Sequence, residues 1–291
     1  MLLCYNIFGD NMKYEVIKNG IAVHNITALN LAETLDCGQS FRWKENPDKS
    51  FTGVAYRKWV TVQLKENTLY IYNTNEDDFL NIWKNYFDLD LDYDKIREEI
   101  STIHPVLKEA SRYAPGIRIL QQEPWEALCT FIISQNNNIK RIKGIVERLC
   151  CSFGEKIPNT DLFTFPSAKV LSALTPEELA PLRAGFRNKY IIDASQKVAE
   201  GLVDLEACRT LEYEKARQEL CKIKGVGNKV ADCTLLFGLH RIEAFPIDVW
   251  MKRAMEKLFP NMTPEDFGKY AGIAQQYIFH YSRMNPKLFE E

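Results

Sequence analysis

The sequence predicts an α+β fold: an N-terminal twisted antiparallel sheet with a few helices, followed by an all-helical region. The pattern is strand-like from about residue 12 to 75, and the spacing turns helical from about residue 76. The length of 291 residues suits one large domain or two modest ones, and either can bury a sizeable core. The expected division is an N-terminal α+β domain, 1–118, and a helical region, 119–291.

In chain order, "FTGVAYR" (51–57) is a candidate strand, and "WVTVQL" (59–64) sets Val60, Val62 and Leu64 against Trp59, Thr61 and Gln63. "KENT" then turns the chain into a further strand, "LYIYNT". "DDFLNIWKNYF" and "DYDKIREEISTI" read as helices with acidic residues at their starts. Helices dominate to the end, interrupted by turns such as "FGEKIPNTD", "TPEEL" and "GVGNK". The chain shows no repeat and no low-complexity segment.

Composition narrows the class. With 46% hydrophobic and 26% charged residues the chain is an ordinary globular one. No apolar run approaches the roughly 18 residues of a membrane span, and the first residues carry no basic leader, so neither a membrane protein nor a secretory signal is expected. The net charge of −2 gives no global positive field, although nucleic-acid binding needs only a local basic surface. Eight cysteines include no CxxC, and Cys150 adjoins Cys151, which suits neither zinc nor a disulfide framework. They read as small core residues of a protein in a reducing cytoplasm. Four scattered histidines offer no metal spacing, and no metal or cofactor is expected. Abundant Lys, Asn and Ile point to an AT-rich microbial genome, with a nucleus as the alternative compartment.

Chemistry concentrates near two stretches. In "LCKIKGVGNKVADC" (220–233), apolar Leu220, Ile223, Val226 and Val230 keep helical intervals around Gly225 and Gly227. Two short helices joined by such a turn expose backbone N–H groups, Asn228 among them, and glycines let a phosphate approach. An ordinary helix corner is the plain alternative, but the full run in register favours a hairpin that grips DNA backbone. Downstream, Asp248 in "AFPIDVWMKRAM" precedes a helical pattern and suits an N-cap. Were the helices after Lys229 and Asp248 to pack side by side, one cleft would hold an amine and a carboxylate. A desolvated amine at a helix N-terminus can be a nucleophile, and a carboxylate can stabilise an oxocarbenium ion. Spacing alone leaves Lys229 equally suited to contacting phosphate.

"GVGNKVADC" followed by "FPIDVW" resembles the helix-hairpin-helix, Gly/Pro-Asp superfamily of DNA glycosylases. "CGQSFRW" (37–43), "SQNNNIKRIKGIVERLC" (134–150) and "GIAQQYIFHY" (272–281) narrow the resemblance to the 8-oxoguanine DNA glycosylases, over most of the chain. The resemblance implies a TATA-binding-protein-like sheet, excision of 8-oxoguanine from duplex DNA, and strand cleavage by β-elimination. It matches Lys229 to the nucleophile that attacks C1′ and forms a Schiff base, and Asp248 to the essential aspartate. Gly38 matches the residue whose carbonyl accepts from N7–H of the lesion, Cys233 and Phe279 those that sandwich the flipped base, and Gln275 the amide at its Watson–Crick edge. Spacing alone would make Phe279 core and Gln275 a solvated residue.

On the opposite strand, Asn136, Arg141 and Arg187 match contacts to the orphan cytosine. Phe186 stands where a tyrosine wedge is usual, and Trp250 where a histidine is familiar. Duplex DNA is the expected partner, and a monomer is expected. The rivals are a sister glycosylase for another damaged base and a non-catalytic DNA-binding hairpin. Lys229 argues against the alkylation enzymes, which generally lack it. The absence of any cysteine after Cys233 argues against the iron–sulfur branches.

Overall fold

Strands form where the alternation demands them. In the computed structural model, which describes residues 6–8 and 12–290, seven strands among those residues build one antiparallel sheet. They are β1 (Asn6–Phe8), β2 (Met12–Ile17), β3 (Gly20–His24), β4 (Trp43–Glu45), β5 (Phe51–Ala55), β6 (Lys58–Lys65) and β7 (Thr68–Tyr72), in the order β1-β2-β3-β7-β6-β5-β4. β1 lies ahead of the region in which alternation was legible, and pairs with β2 through Asn6↔Tyr14. Cys4 lies outside the described residues.

Val60, Val62, Leu69 and Ile71 are fully buried on one face, while Thr61, Gln63, Tyr70 and Tyr72 stay partly exposed on the other. The turn between β5 and β6 is made by Tyr56 and Arg57, both at positive φ (49° and 62°). Such turns favour Asn-Gly. Here Tyr56 is anchored instead: its hydroxyl donates to Gln121 O at 3.2 Å and its ring meets Tyr86 edge-on at 6.4 Å.

The helices follow their caps. α1 (Leu31–Leu35) interrupts the strands. α2 (Glu76–Asp78), a π-helical turn (Phe79–Trp83) and α3 (Lys84–Tyr86) run on as one helical stretch, whose Phe79, Trp83 and Tyr86 join the buried face of the sheet. α4 (Tyr93–Ser101) and α5 (Pro105–Tyr113) come next, ahead of residue 119, and are followed by α6 (Pro124–Ser134), α7 (Ile139–Phe153), α8 (Ala168–Ser172) and α9 (Arg187–Ala199). The chain continues with α10 (Tyr213–Cys221), α11 (Asn228–Leu239), α12 (Val249–Leu258) and α13 (Ala271–Met284). Asp92 and Asn138 accept from the amides of Lys95 and Arg141 at 3.0 Å, starting α4 and α7. These side chains satisfy amides that the helix cannot.

Two buried clusters result, one under the sheet and one among the helices. They interleave along the chain: Phe41 and residues of α4 and α5 belong to the helical cluster, whereas Leu120 belongs to the sheet cluster. Across their junction the buried pair Arg42–Glu126 closes at 3.5 Å, and Arg42 also donates to Phe163 O. Burial raises the Glu126 carboxyl to about 7, against the pull of Arg42. Among the described residues no helix is long and apolar enough to cross a membrane.

Candidate active site

The hairpin between α10 and α11 is fixed by its neighbours. Gly225 has φ 81°, and a Cβ there would come within 2.4 Å of the Tyr190 ring. Glycine is therefore required by both backbone and packing. A Cβ at Gly227 would meet nothing within 4 Å, so packing inside the protein does not demand glycine at that position. The Asp193 carboxylate accepts from the Lys224 amide at 2.7 Å and pairs with Lys197 at 2.9 Å, tying the hairpin to α9. Gly227 caps α11, and the amides of Asn228 and Lys229 in its first turn have no acceptor within the helix.

Lys229 turns inward from this hairpin. It is half-buried, donates from Nζ to Ser134 Oγ at 3.1 Å, and lies 5.2 Å from the centre of the Phe131 ring. Asp248 caps α12, accepting from the Met251 amide at 2.8 Å. Lys229, Asp248, Gly38, Cys233, Gln275 and Phe279 line one small cleft of about 50 Å³, with Phe131, Phe237, Pro246 and Gln276 completing the wall. The convergence does not come from α11 packing along α12. The main neighbours of α11 are α6 and α10, and that of α12 is α13.

The polar groups of the cleft are oriented. Gln275, 4% exposed rather than solvated, donates from Nε2 to Pro246 O at 3.1 Å. Its Oε1 is buried without a partner among the described residues, leaving an acceptor at the cleft wall. Phe279 is half-buried, and its ring lies 5.8 Å from the Arg283 guanidinium. Gly38 has φ 98°, a conformation that favours glycine, and a Cβ there would crowd Ile139 at 3.3 Å and Phe279 at 3.7 Å. Burial pushes the Cys233 thiol up to about 12, eased by Lys229 and reinforced by Asp232 and Asp248.

The remaining sequence-selected residues form a second group. Phe186 is 51% exposed, packs edge-on against Tyr190 at 5.7 Å, and lies under the Arg187 guanidinium at 4.5 Å. Arg187 is buried and donates to Ala184 O (3.0 Å), Asn136 O (2.9 Å) and Gln135 O (2.9 Å). Asn136 is exposed at φ 47°, and Arg141 is exposed with one long contact to Arg183 O at 3.4 Å. Trp250 contacts Phe289 at 6.1 Å and the Arg253 guanidinium at 5.7 Å. Sequence reasoning passed over Ser134, Phe131 and Gln276. All three lie in or beside stretches it quoted, but nothing in their spacing distinguishes a cleft wall from core.

Residues 21–128 match the family described as 8-oxoguanine DNA glycosylase, N-terminal domain, and residues 129–269 match the HhH-GPD superfamily base excision DNA repair proteins. The N-glycosylase/DNA lyase of Saccharomyces cerevisiae is 34% identical over 84% of this chain and 72% of its own. The structure of MBOgg1 with a low-affinity DNA ligand superposes with a TM-score of 0.91 at 43% identity, covering 95% of this chain and 99% of that one. The Clostridium acetobutylicum 8-oxoguanine glycosylase/lyase, in complex with duplex DNA containing cytosine opposite 8-oxoguanine, gives 0.89 at 37% identity, with coverage of 95% and 99%. Likeness at this identity runs through sheet and helices together, well beyond a shared fold, and the chain belongs to the 8-oxoguanine DNA glycosylases of the HhH-GPD superfamily.

Proposed function

We propose that this protein excises 8-oxoguanine from duplex DNA through Lys229 and then cleaves the strand at the resulting abasic site. The observation that carries the assignment is the shared cleft of the Lys229 amine and the Asp248 carboxylate, with the Gln275 acceptor in its wall. The Lys229 amine attacks C1′, and the N9–C1′ bond breaks with its electron pair on the departing base, which takes up a proton. Asp248 stabilises the positive charge that builds on the sugar. The C1′–N bond becomes a Schiff base as the sugar opens, and loss of a C2′ proton expels the 3′ phosphate.

Recognition follows from donor and acceptor placement. A flipped base presents N1–H and the N2 amine, which Gln275 Oε1 can accept because Pro246 O engages the Nε2 side of the amide. The Gly38 carbonyl accepts from N7–H, a donor that guanine lacks. Cys233 stays a neutral thiol at physiological pH and packs on the base opposite Phe279. The cleft is well below the ~300 Å³ usual for a ligand pocket, so base entry requires its walls to part. Outside the cleft, the hairpin at Gly225, Gly227 and Asn228 holds phosphate, and Phe186 fills the gap beside the orphan cytosine. The enzyme prefers cytosine opposite the lesion and acts as a monomer in a microbial cytoplasm, which suits its seven described free cysteines.

A non-catalytic hairpin would direct Lys229 outward to phosphate, whereas its bond to Ser134 holds it in the cleft. Borohydride trapping on an 8-oxoguanine duplex tests the assignment. Wild type should form a covalent adduct, and Lys229→Gln should lose it while still binding duplex. Trapping by Lys229→Gln would overturn the role of Lys229.

A further inference from the structure

Gly38 has no side chain to fix it, and both its neighbours are anchored. Gln39 is fully buried; its Nε2 donates to Thr34 O at 2.8 Å and to Arg118 O at 2.7 Å, and its Oε1 accepts from the Leu120 amide at 2.9 Å. The Gln39 carbonyl accepts from Gln122 Nε2 at 2.7 Å. On the other side, the buried Cys37 thiol donates to Thr34 O at 3.4 Å and accepts from Gln276 Nε2 at 3.0 Å, with longer contacts at 3.5 Å from Gln39 Nε2 to the sulfur and from Arg283 to the Cys37 carbonyl. Burial raises this thiol, so the S–H donor persists at neutral pH.

Gln276 is 2% exposed and comes from α13, far from Cys37 in sequence. The residue before it, Gln275, donates to Pro246 O in the loop that leads to Asp248. Two successive glutamines of one helix thus link the Gly38 segment to the Asp248 loop. A hydrogen bond weakens steeply once its angle falls below about 120°, so a small rotation of the 37–38 backbone disables a carbonyl acceptor. Glycine offers no resistance of its own to such a rotation.

We infer that Gln276 is a positioning residue for lesion recognition: by holding Cys37 it aims the Gly38 carbonyl at the place where a purine N7–H must donate. This rests on the assignment of Gly38 as the N7–H acceptor. Removing the Gln276 donor takes away the shortest of the hydrogen bonds on the Cys37 sulfur. What it costs is the angle of the Gly38 carbonyl, and with it the distinction between 8-oxoguanine and guanine.

The experiment measures affinity in the Lys229→Gln background for three duplexes, with 8-oxoguanine, guanine or a tetrahydrofuran abasic analogue opposite cytosine. Lys229→Gln should favour the 8-oxoguanine duplex over the guanine duplex. Adding Gln276→Met, which keeps volume but removes the donor, should cut that ratio about tenfold, equivalent to about 1.4 kcal/mol. The abasic-analogue affinity should change less than about twofold, because no base is read there. If Lys229→Gln alone fails to distinguish 8-oxoguanine from guanine, the Gly38 assignment is wrong. If it distinguishes them and Gln276→Met leaves the ratio intact, or weakens all three duplexes equally, the role of Gln276 is overturned. Should Gln276→Met not fold, Cys37→Ser, which keeps an acceptor, should retain the ratio, and Cys37→Ala should lose it. Equal ratios for that pair also overturn the inference.

Discussion

Asp248 caps α12 and, in the proposed mechanism, also stabilises charge on the sugar, two roles that a pair of substitutions can separate. Its Oδ1 accepts from the Met251 amide at 2.8 Å and starts α12, and the same carboxylate borders the cleft with Lys229. Asp248→Asn keeps an oxygen for the cap but removes the charge. Loss of one preorganised electrostatic group commonly costs 10²–10³ in rate, so single-turnover excision on an 8-oxoguanine duplex should fall by about that factor. The melting temperature should stay within about 1 °C, because Asn caps as well as Asp. Asp248→Ala should lose a similar factor in rate and also the cap. The cap contributes about 1 kcal/mol, which lowers the melting temperature by roughly 2 °C in a chain of this size. Excision by Asp248→Asn within about threefold of wild type would reduce the carboxylate to a cap. Equal destabilisation by Asn and Ala would refute the claim that the two roles separate.

Arg141→Ala should lower excision opposite cytosine about tenfold more than opposite adenine, since arginine donors suit the O2 and N3 acceptors of cytosine and not the N6 donor of adenine; equal slowing on both duplexes would make Arg141 a backbone contact. Affinity for lesion duplex should fall with salt at a slope of roughly −0.9 per phosphate contact, despite the net charge of −2, and a flat profile would refute a backbone-gripping hairpin. With its carboxyl raised to about 7, the folded state holds the Glu126 proton more tightly than the unfolded chain, so this group's contribution to stability declines as pH rises from about 4.5 through about 7. Glu126→Gln should remove about 1–3 kcal/mol of that decline, read from urea unfolding at about pH 5 and pH 8, and an unchanged pH profile would refute the link.

The sheet was legible because alternation is a local signal: Val60 and Val62 announce their burial without reference to anything distant. The cap at Asp248 and the hairpin at Gly225 were legible for the same reason. Pairings across the chain were not. Nothing in the spacing around Glu126 announces that it is buried and paired with Arg42 at 3.5 Å. Gln275 reads as solvated on spacing, yet it is buried with a bond to Pro246, and the unremarked Gln276 beside it is buried with a bond to Cys37. Family motifs supplied Gln275 as a site residue. They did not supply Ser134 or Gln276, whose contacts with Lys229 and Cys37 exist only once α6 meets α11 and α13 meets the Gly38 segment. The assumption that α11 and α12 lie side by side was unnecessary, since the two N-termini reach one cleft through different neighbours.

The resemblance matches both Arg141 and Arg187 to contacts with the orphan cytosine, and the structure gives the two different surroundings. A guanidinium has five N–H donors. Arg187 commits Nε, Nη1 and Nη2 to the carbonyls of Gln135, Ala184 and Asn136, and its plane lies over the Phe186 ring. These bonds hold the turn at Asn136, whose φ of 47° is unusual for a residue with a side chain, and the same guanidinium packs on the Phe186 ring. Removing Arg187 therefore loosens Asn136 and Phe186 together, and slows excision whatever base lies opposite. Arg141 is exposed, and its one long contact, to Arg183 O, leaves most of its donors for DNA. In the proposed function, discrimination between opposing bases accordingly belongs first to Arg141. Arg187 contributes by keeping the turn and the wedge in place, and it can meet cytosine directly only by exchanging a backbone carbonyl for the base.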